Sequence, residues 1–271
     1  MGDNPFSLAG RVAVVTGGTG AIGRALATGL AQAGARVVVL ARSADRVEQT
    51  AAALTADGHE ALGIPADVLD AAALETARDA MLAHFGSIDV LVNCAGGNVA
   101  AATVPDDASP FDVPIEAYRE VIDLNLVGTL LPIRVFGPAM KVAAGCSIVN
   151  VSSLAASRAL TRVGGYGAAK AAVESITRWL AVELARRGTG IRVNAIAPGF
   201  VLGDQNRSLL VGDDGEPTPR GSTIVERTPL GRLGEPEELV STVVWLASDG
   251  ARFVTGIVVP VDGGFSAFSG V

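Results

Sequence analysis

Short runs of β-branched and aliphatic residues alternate along the chain with longer stretches whose apolar positions return every three to four residues. The runs at 11–16 (RVAVVT), 36–41 (RVVVLA), 88–93 (IDVLVN) and 147–152 (SIVNVS) are continuous rather than alternating. Continuous runs suit strands covered on both faces. Weaker runs at 61–67, 191–197 and 256–261 bring the expected strands to seven. The helical period marks 22–33, 44–56, 71–85, 115–140, 165–187 and 235–248, and Gly34, Gly58 and Gly86 stand where three of these should stop. Pro132 and Pro138 lie inside the fourth helix and predict a kink or an early end there. Two stretches carry no period, 95–113 and the Gly-, Pro- and Asp-rich 202–229.

Strand–helix alternation of this kind predicts right-handed crossovers and a parallel sheet. The expected fold class is α/β: a single-domain Rossmann fold whose doubly wound, seven-stranded parallel sheet carries helices on both faces. Hydrophobic residues are 49% of the 271 and no linker-like composition interrupts them, so residues 1–271 read as one domain. Ligands of open sheets sit beyond the carboxyl ends of the strands, so the chemistry should follow the strands.

The first strand runs into Thr16-Gly17-Gly18-Thr19-Gly20-Ala21-Ile22-Gly23 and then a helix. Glycines there let the backbone turn tightly and approach a pyrophosphate, whose charge the helix N-terminus stabilises. The alternative is an ordinary glycine-rich turn. The second strand ends Leu40-Ala41-Arg42-Ser43 with no carboxylate to hold the 2′-hydroxyl of NAD. Arg42 suits the 2′-phosphate of NADP, or is a solvated arginine at a helix start. The cofactor expectation is NADP(H), with NAD(H) open.

Tyr166 and Lys170 are four residues apart and share a helix face. A phenol titrates near pH 10, and a neighbouring cation favours the phenolate, so the pair predicts a lowered tyrosine pKa and a usable general acid/base. Ser153 follows the fifth strand at the same end of the sheet, where a hydroxyl can hold a substrate oxygen beside the tyrosine.

Together TGGTGAIG, Asn93-Cys94-Ala95-Gly96, Ser153, Tyr166-x-x-x-Lys170 and Pro198-Gly199 resemble the ordered motifs of the short-chain dehydrogenase/reductase family, from about Leu8 to Phe265. The resemblance implies direct hydride transfer between NAD(P)(H) and a carbonyl or secondary alcohol. It implies that Asn125 holds a water in a proton relay, Ser153 polarises the carbonyl, Tyr166 moves the proton, and Lys170 lowers the tyrosine pKa and bonds the nicotinamide ribose. It also implies that Gly17, Thr19, Gly20, Ala21, Ile22 and Gly23 hold the pyrophosphate. Asp67 and Val68 would lie near the adenine, Asn93, Ala95 and Gly96 along the cleft, and Pro198, Gly199 and Val201 beside the nicotinamide. Three positions depart from the family pattern: Ala21 replaces its middle glycine, Gly20 stands where NADP-preferring members carry a basic residue, and Gly203 stands where a threonine is common.

Arg158, Thr161 and Arg162 lie between Ser153 and Tyr166, and Gln205, Asn206, Arg207 and Arg220 lie in 202–229. Arginines can hold a carboxylate bidentately, which predicts an acidic substrate such as a sugar acid, with Arg158, Arg162, Asn206 and Arg207 against it. Surface or subunit-interface pairs are the alternative. The segments Leu130-Leu-Pro, Phe136-Gly-Pro-Ala-Met140, Thr161-Arg-Val, Gln205-Asn-Arg and the tail from Phe265 to Val271 are similar to D-mannonate oxidoreductase (fructuronate reductase) members of the family. Other family reactions, 3-ketoacyl or steroid reduction, share the same catalytic set. An NAD-bound epimerase or dehydratase would carry a larger C-terminal region. A non-catalytic nucleotide-binding protein would have no need of Asn125, Ser153, Tyr166 and Lys170 together. The 202–229 stretch is expected to be a mobile substrate lid.

The formal net charge is −7 and no long Lys/Arg run occurs, which argues against a nucleic-acid partner. Cys94 and Cys146 lie in apolar runs and read as free thiols, and His59 and His84 have no ligand-spaced partners, so no metal is expected. The N-terminus lacks a signal-peptide pattern and no uninterrupted apolar run reaches membrane-spanning length, so a cytoplasmic location and no membrane partner are expected. The helices around 124–140 and 165–184 are apolar over more of their circumference than one sheet face covers, and family members pair through them; a homotetramer of D2 symmetry is expected.

Overall fold

The computed structural model describes residues 4–140, 145–203 and 206–270. Its strands are β1 (Val12–Thr16), β2 (Arg36–Ala41), β3 (Ala61–Pro65), β4 (Val90–Asn93), β5 (Ser147–Val151), β6 (Arg192–Pro198) and β7 (Val258–Val261). They form one parallel sheet in the order β3-β2-β1-β4-β5-β6-β7. The expected fold class is therefore found. The chain winds outward from β1 in one direction and then from β4 in the other, so a crevice opens between the carboxyl ends of β1 and β4.

Strand side chains alternate between faces, and here both faces are dry. Ala13 and Val15 of β1 pack with Leu26 and Leu30 of α1 (Ala21–Gln32), Leu54 of α2 (Ala44–Ala56), and Val243 and Leu246 of α9 (Val240–Ala247). Val12 and Val14 face the other way, onto Leu74 and Met81 of α3 (Ala71–Phe85) and Phe136 of α5 (Gly128–Phe136). This two-sided burial is why the strand runs read as continuous rather than alternating. Caps fix the helix ends: Asp70 accepts from Ala72 N at 2.9 Å and Ala73 N at 3.1 Å, and Gly86 closes α3 at φ 78°.

Four readings from the sequence need correction. The fourth helix does end early, its α turns stopping at Phe136 ahead of Pro138, but it also breaks at Asn125, which the sequence did not predict. The chain runs through α4 (Ile115–Ile122), a π turn (Asp123–Val127) and α5. Asn125 Nδ2 donates to Val121 O at 2.9 Å and the Thr129 hydroxyl to Asn125 O at 2.8 Å, so side chains enter the helical ladder and widen it. Second, Ile115–Ala139 has the length and mean hydropathy, 1.3, of a membrane span. Its apolar residues instead pack on α3 and on α6 (Gly164–Arg186). Third, 202–229 is not irregular throughout: it holds α7 (Arg207–Leu210), a Val211–Pro217 bridge and α8 (Pro219–Arg227). Thr218 caps α8 with Pro219 at its first position, and Ile224 is buried. Fourth, the last predicted helix begins as a 3₁₀ turn, Pro236–Leu239, inside a Glu235/Glu238 capping box. Gln205 and Val271 lie outside the described residues.

Candidate active site

The strand register aligns the functional ends. Thr16 pairs with Asn93, Asn93 with Asn150, and Val151 with Ile196, so the turns after β1, β4, β5 and β6 open onto one edge. Thr16 Oγ1 accepts from Cys94 N at 3.1 Å and Ala95 N at 3.2 Å, tying the first turn to the fourth. Asn93 Nδ2 donates to Asn150 Oδ1 at 2.9 Å, and Asn150 Nδ2 to Thr177 Oγ1 at 2.8 Å, which fastens β4 and β5 to α6.

The glycine turn is packed as a phosphate cradle requires. Gly17 has φ +65°, and a Cβ there would lie 2.8 Å from Ala95 Cα; at Gly23 one would lie 2.2 Å from Gly17 O. Only glycine fits either place. Ala21 starts α1 without displacing anything, so the departure from the family pattern is accommodated. No side chain caps the first turn of α1 and no acidic residue stands in it, which leaves its N–H groups for an anion. These features fit the pyrophosphate of a dinucleotide. Ile22 is half-buried beside the turn.

Beyond β2, Arg42 is exposed. Sequence reasoning missed its neighbour: Arg46 Nη2 donates to Thr19 O at 2.8 Å, which brings a second guanidinium to the same turn. A second basic residue in the first turn after β2 was the available signal. On the other flank Asp67 accepts from Leu69 N at 3.0 Å, and Val68 is buried against Gly128. Gly199 N donates to Val261 O at 2.9 Å, and Val201 pairs with Gly234, so the turn after β6 is held by β7 and the chain before α9.

Asn125, Ser153, Tyr166 and Lys170 converge. Ser153 caps the 3₁₀ turn Leu154–Ala156, accepting from Ala155 N at 3.2 Å, and lies close enough to the Tyr166 hydroxyl to favour its ionised form. Lys170 is 4% exposed; its Nζ donates to Val151 O at 2.8 Å and stands 5.6 Å from the Tyr166 ring centre. Asn125 is wholly buried, accepts from Gly97 N at 3.0 Å and donates to Gly97 O at 2.7 Å. A Cβ on Gly96 would meet Asn125 Oδ1 at 2.6 Å and Lys170 Nζ at 3.1 Å, so the chain after β4 threads between them.

Burial raises the Tyr166 pKa, and the Ser153 hydroxyl only partly opposes it. The lowered tyrosine pKa expected from the sequence is thus reversed: desolvation of the phenolate dominates, and Cys94 acts in the same direction. The same burial pushes Lys170 down to about 8 and the Cys94 thiol up to about 11. Tyr166 therefore stands as a neutral phenol that can donate a proton, with the Ser153 hydroxyl beside it. Neither Cys94 nor Cys146 is in a disulfide.

The residues expected to hold an acidic substrate do not gather. Arg162, the one described non-glycine residue with positive φ (+77°), donates through Nε to Val104 O at 3.3 Å and pairs with Asp106 at 3.8 Å. Asn206 spends its amide inside its own turn, on Val201 O at 2.9 Å and Gly203 N at 2.8 Å. Arg207 borders a shallow groove of about 570 Å³ along α1 with Arg24 and Glu235. Arg158, at the end of the turn that Ser153 caps, has its Nη2 on Ser266 O. Arg220 donates to Thr161 Oγ1 at 3.2 Å, linking α8 to the segment after Ser153. A separate cleft of about 190 Å³ lies between the ends of β6 and β7, lined by Gly199, Phe200, Val201 and Asp262. Neither cleft includes Ser153 or Tyr166.

A family model described as enoyl-(acyl carrier protein) reductase matches residues 17–266. An uncharacterized oxidoreductase of Bacillus subtilis, UxuB, is 43% identical over 274 residues, covering 98% of each chain. A solved structure of a candidate D-mannonate oxidoreductase from Haemophilus influenzae with bound NAD superposes with TM-score 0.91 at 36% identity, covering 98% of each chain. A gluconate 5-dehydrogenase from Burkholderia cenocepacia, in complex with NADP and tartrate, superposes with TM-score 0.85 at 32% identity, covering 97% of this chain and 98% of its own.

The Lys170 pKa sets a pH dependence of stability. A lysine depressed from 10.5 to about 8 binds fewer protons folded than unfolded above pH 8. Stability against urea should rise from pH 8 to 9, and Lys170→Met should lose that rise. Above pH 9 the raised Cys94 thiol acts in the opposite direction. A flat or falling profile in the unaltered protein between pH 8 and 9 contradicts a desolvated Lys170.

Proposed function

The chain belongs to the short-chain dehydrogenase/reductase family of NAD(P)-dependent oxidoreductases, and from that premise we propose that it interconverts a keto sugar acid and its alcohol, with Tyr166 as the proton carrier. The Ser153–Tyr166 hydroxyl pair above a buried Lys170 carries this reading. When bound, the nicotinamide supplies or accepts the hydride. Ser153 holds the carbonyl oxygen, and Tyr166 gives its proton to that oxygen as the carbon is reduced. The Lys170 ammonium then steadies the phenolate left behind, in a site where water does not screen it. Asn125 spends its side chain on Gly97 and Val121 O, so its part in a relay is to hold the cleft wall against Lys170.

Three features support the substrate class. Both solved relatives carry hydroxy-acid names, D-mannonate and gluconate. Arg158 stands five residues beyond Ser153, and Ser266 O engages only one of its five N–H donors. Arg162, Asn206 and Arg207 are reassigned as loop and groove residues, which leaves Arg158 as the carboxylate partner. The helices α7 and α8 form the cover over this end of the sheet, with Arg220 as the latch on Thr161. The whole chain acts as one nucleotide-binding domain. Arg42 and Arg46, with no carboxylate at the end of β2, favour NADP(H). Ile115, Ile122, Trp179 and Val182 are exposed apolar residues on α4 and α6, which supports a tetramer assembled through those helices.

Purified protein should oxidise NADPH selectively with keto sugar acids, and Tyr166→Phe should lower kcat about 10²- to 10⁴-fold with cofactor affinity unchanged. Turnover that survives the substitution would falsify the assignment of Tyr166. Arg42→Ala and Arg46→Ala should each raise the KM for NADPH roughly tenfold or more and leave that for NADH alone; equal effects on both cofactors refute the phosphate contact. Light scattering should give four times the 27.4 kDa chain mass, and a monomeric mass at micromolar concentration removes the tetramer.

A further inference from the structure

Among the described residues three buried side-chain atoms lack any hydrogen-bond partner: Arg36 Nε, Asn93 Oδ1 and Asn98 Oδ1. The first two belong to the scaffold. Arg36 bonds Gly10 O and Phe85 O and lies over the Phe85 ring, and Asn93 braces β4 to β5. Asn98 is different. It follows Gly97, whose backbone is held on both sides by Asn125, and it precedes Val99, which packs with Tyr166 on the cluster of Ala102, Ala117, Val121 and Ala169. It therefore lies on a short segment anchored to Asn125 on one side and packed with Tyr166 on the other.

The orientation of its amide is determined. Asn98 Nδ2 donates to Thr103 Oγ1 at 2.7 Å, and the Thr103 hydroxyl donates to Val99 O at 3.3 Å. A hydroxyl has one proton, so Thr103 can only accept from Asn98, and the nitrogen must face it. The carbonyl oxygen is left on the other side, desolvated and unpaired. Folded proteins rarely leave such an acceptor unmatched, because the lost water is not replaced. An oriented acceptor beside the reacting centre matches a hydroxyl donor on the substrate.

We propose that Asn98 is a specificity-determining residue whose Oδ1 accepts a hydrogen bond from a substrate hydroxyl next to the reacting carbon, so that the site selects polyhydroxylated chains over plain ketones. This rests on the reading of Ser153 and Tyr166 as the place of the reacting oxygen. It does not depend on the carboxylate.

The test compares two pairs of ketones that differ only in hydroxyls: 5-ketogluconate with 5-oxohexanoate, and erythrulose with 2-butanone. Asn98→Ala should lower kcat/KM about 10- to 100-fold on the hydroxylated member of whichever pair is turned over, and within about threefold on its deoxy partner. Asn98→Ser, which keeps a smaller acceptor, should fall between. Thr103→Val, which frees the amide to rotate, should shift the same ratio in the same direction. Dissociation constants measured by calorimetry on the NADP-loaded protein give the same ratio where turnover is slow. Equal losses on both members of a pair, or a change confined to the KM for NADPH, overturn the proposal. Activity on the neutral pair alone with the expected Asn98 dependence discards the sugar-acid reading and keeps this one. Activity on the acid pair with no Asn98 dependence does the reverse.

Discussion

An ammonium group kept from water is the constraint around which this site is arranged. Burial pushes Lys170 down to about 8, and the surrounding chain is shaped around its ammonium. One boundary is the carbonyl of Val151, at the end of β5. Another boundary is the chain after β4, where only a glycine at 96 can pass between Nζ and Asn125. The π turn at Asn125 exists in the same context, because its side chain must reach both Val121 and Gly97. The widened helix, the glycine and the strand end thus answer to one charge.

That charge is useful because the neighbouring phenol is also desolvated. Tyr166 is driven toward its neutral form, the Ser153 hydroxyl acts against that tendency, and the Lys170 ammonium stands 5.6 Å from its ring centre. In water neither would matter much; in a dry cleft both are strong. The site is thereby set to give a proton when negative charge develops on a substrate oxygen, and to tolerate the phenolate that results. The wall opposite, from Gly96 to Asn98, is held by Asn125 and Thr103, so its geometry does not depend on the substrate being present.

The chemistry and the selectivity come from different parts of the chain. Ser153, Tyr166, Lys170 and Asn125 stand just beyond β5, on α6 and in the π turn, next to the two cores. The segments proposed to face the substrate are connections: 95–113, 154–163, α7, α8 and the tail. Those connections bind to each other through Arg162 with Val104, Arg220 with Thr161, and Arg158 with Ser266. A rigid sheet edge with mutually latched connections lets substrate preference vary without disturbing proton transfer.

The sequence by itself determined the sheet, the helices and the set of polar side chains that meet at its edge. Continuous apolar runs report two-sided burial, glycine clusters report backbone turns, and Tyr166 and Lys170 are joined by the helical period; each of these signals is local. It also located the turn after β1 and the guanidinium at Arg42. What only the tertiary structure decided depends on distance in space. Whether burial or the cation governs Tyr166 could not be read from spacing, because desolvation comes from residues far away in the chain. The fate of Arg162, Asn206 and Arg207 rested on which carbonyls and carboxylates the folded loops bring to them. The unpaired oxygen of Asn98 emerges only when Thr103 and Val99 are in place, since a hydrogen-bond vacancy is a property of an arrangement and not of a residue.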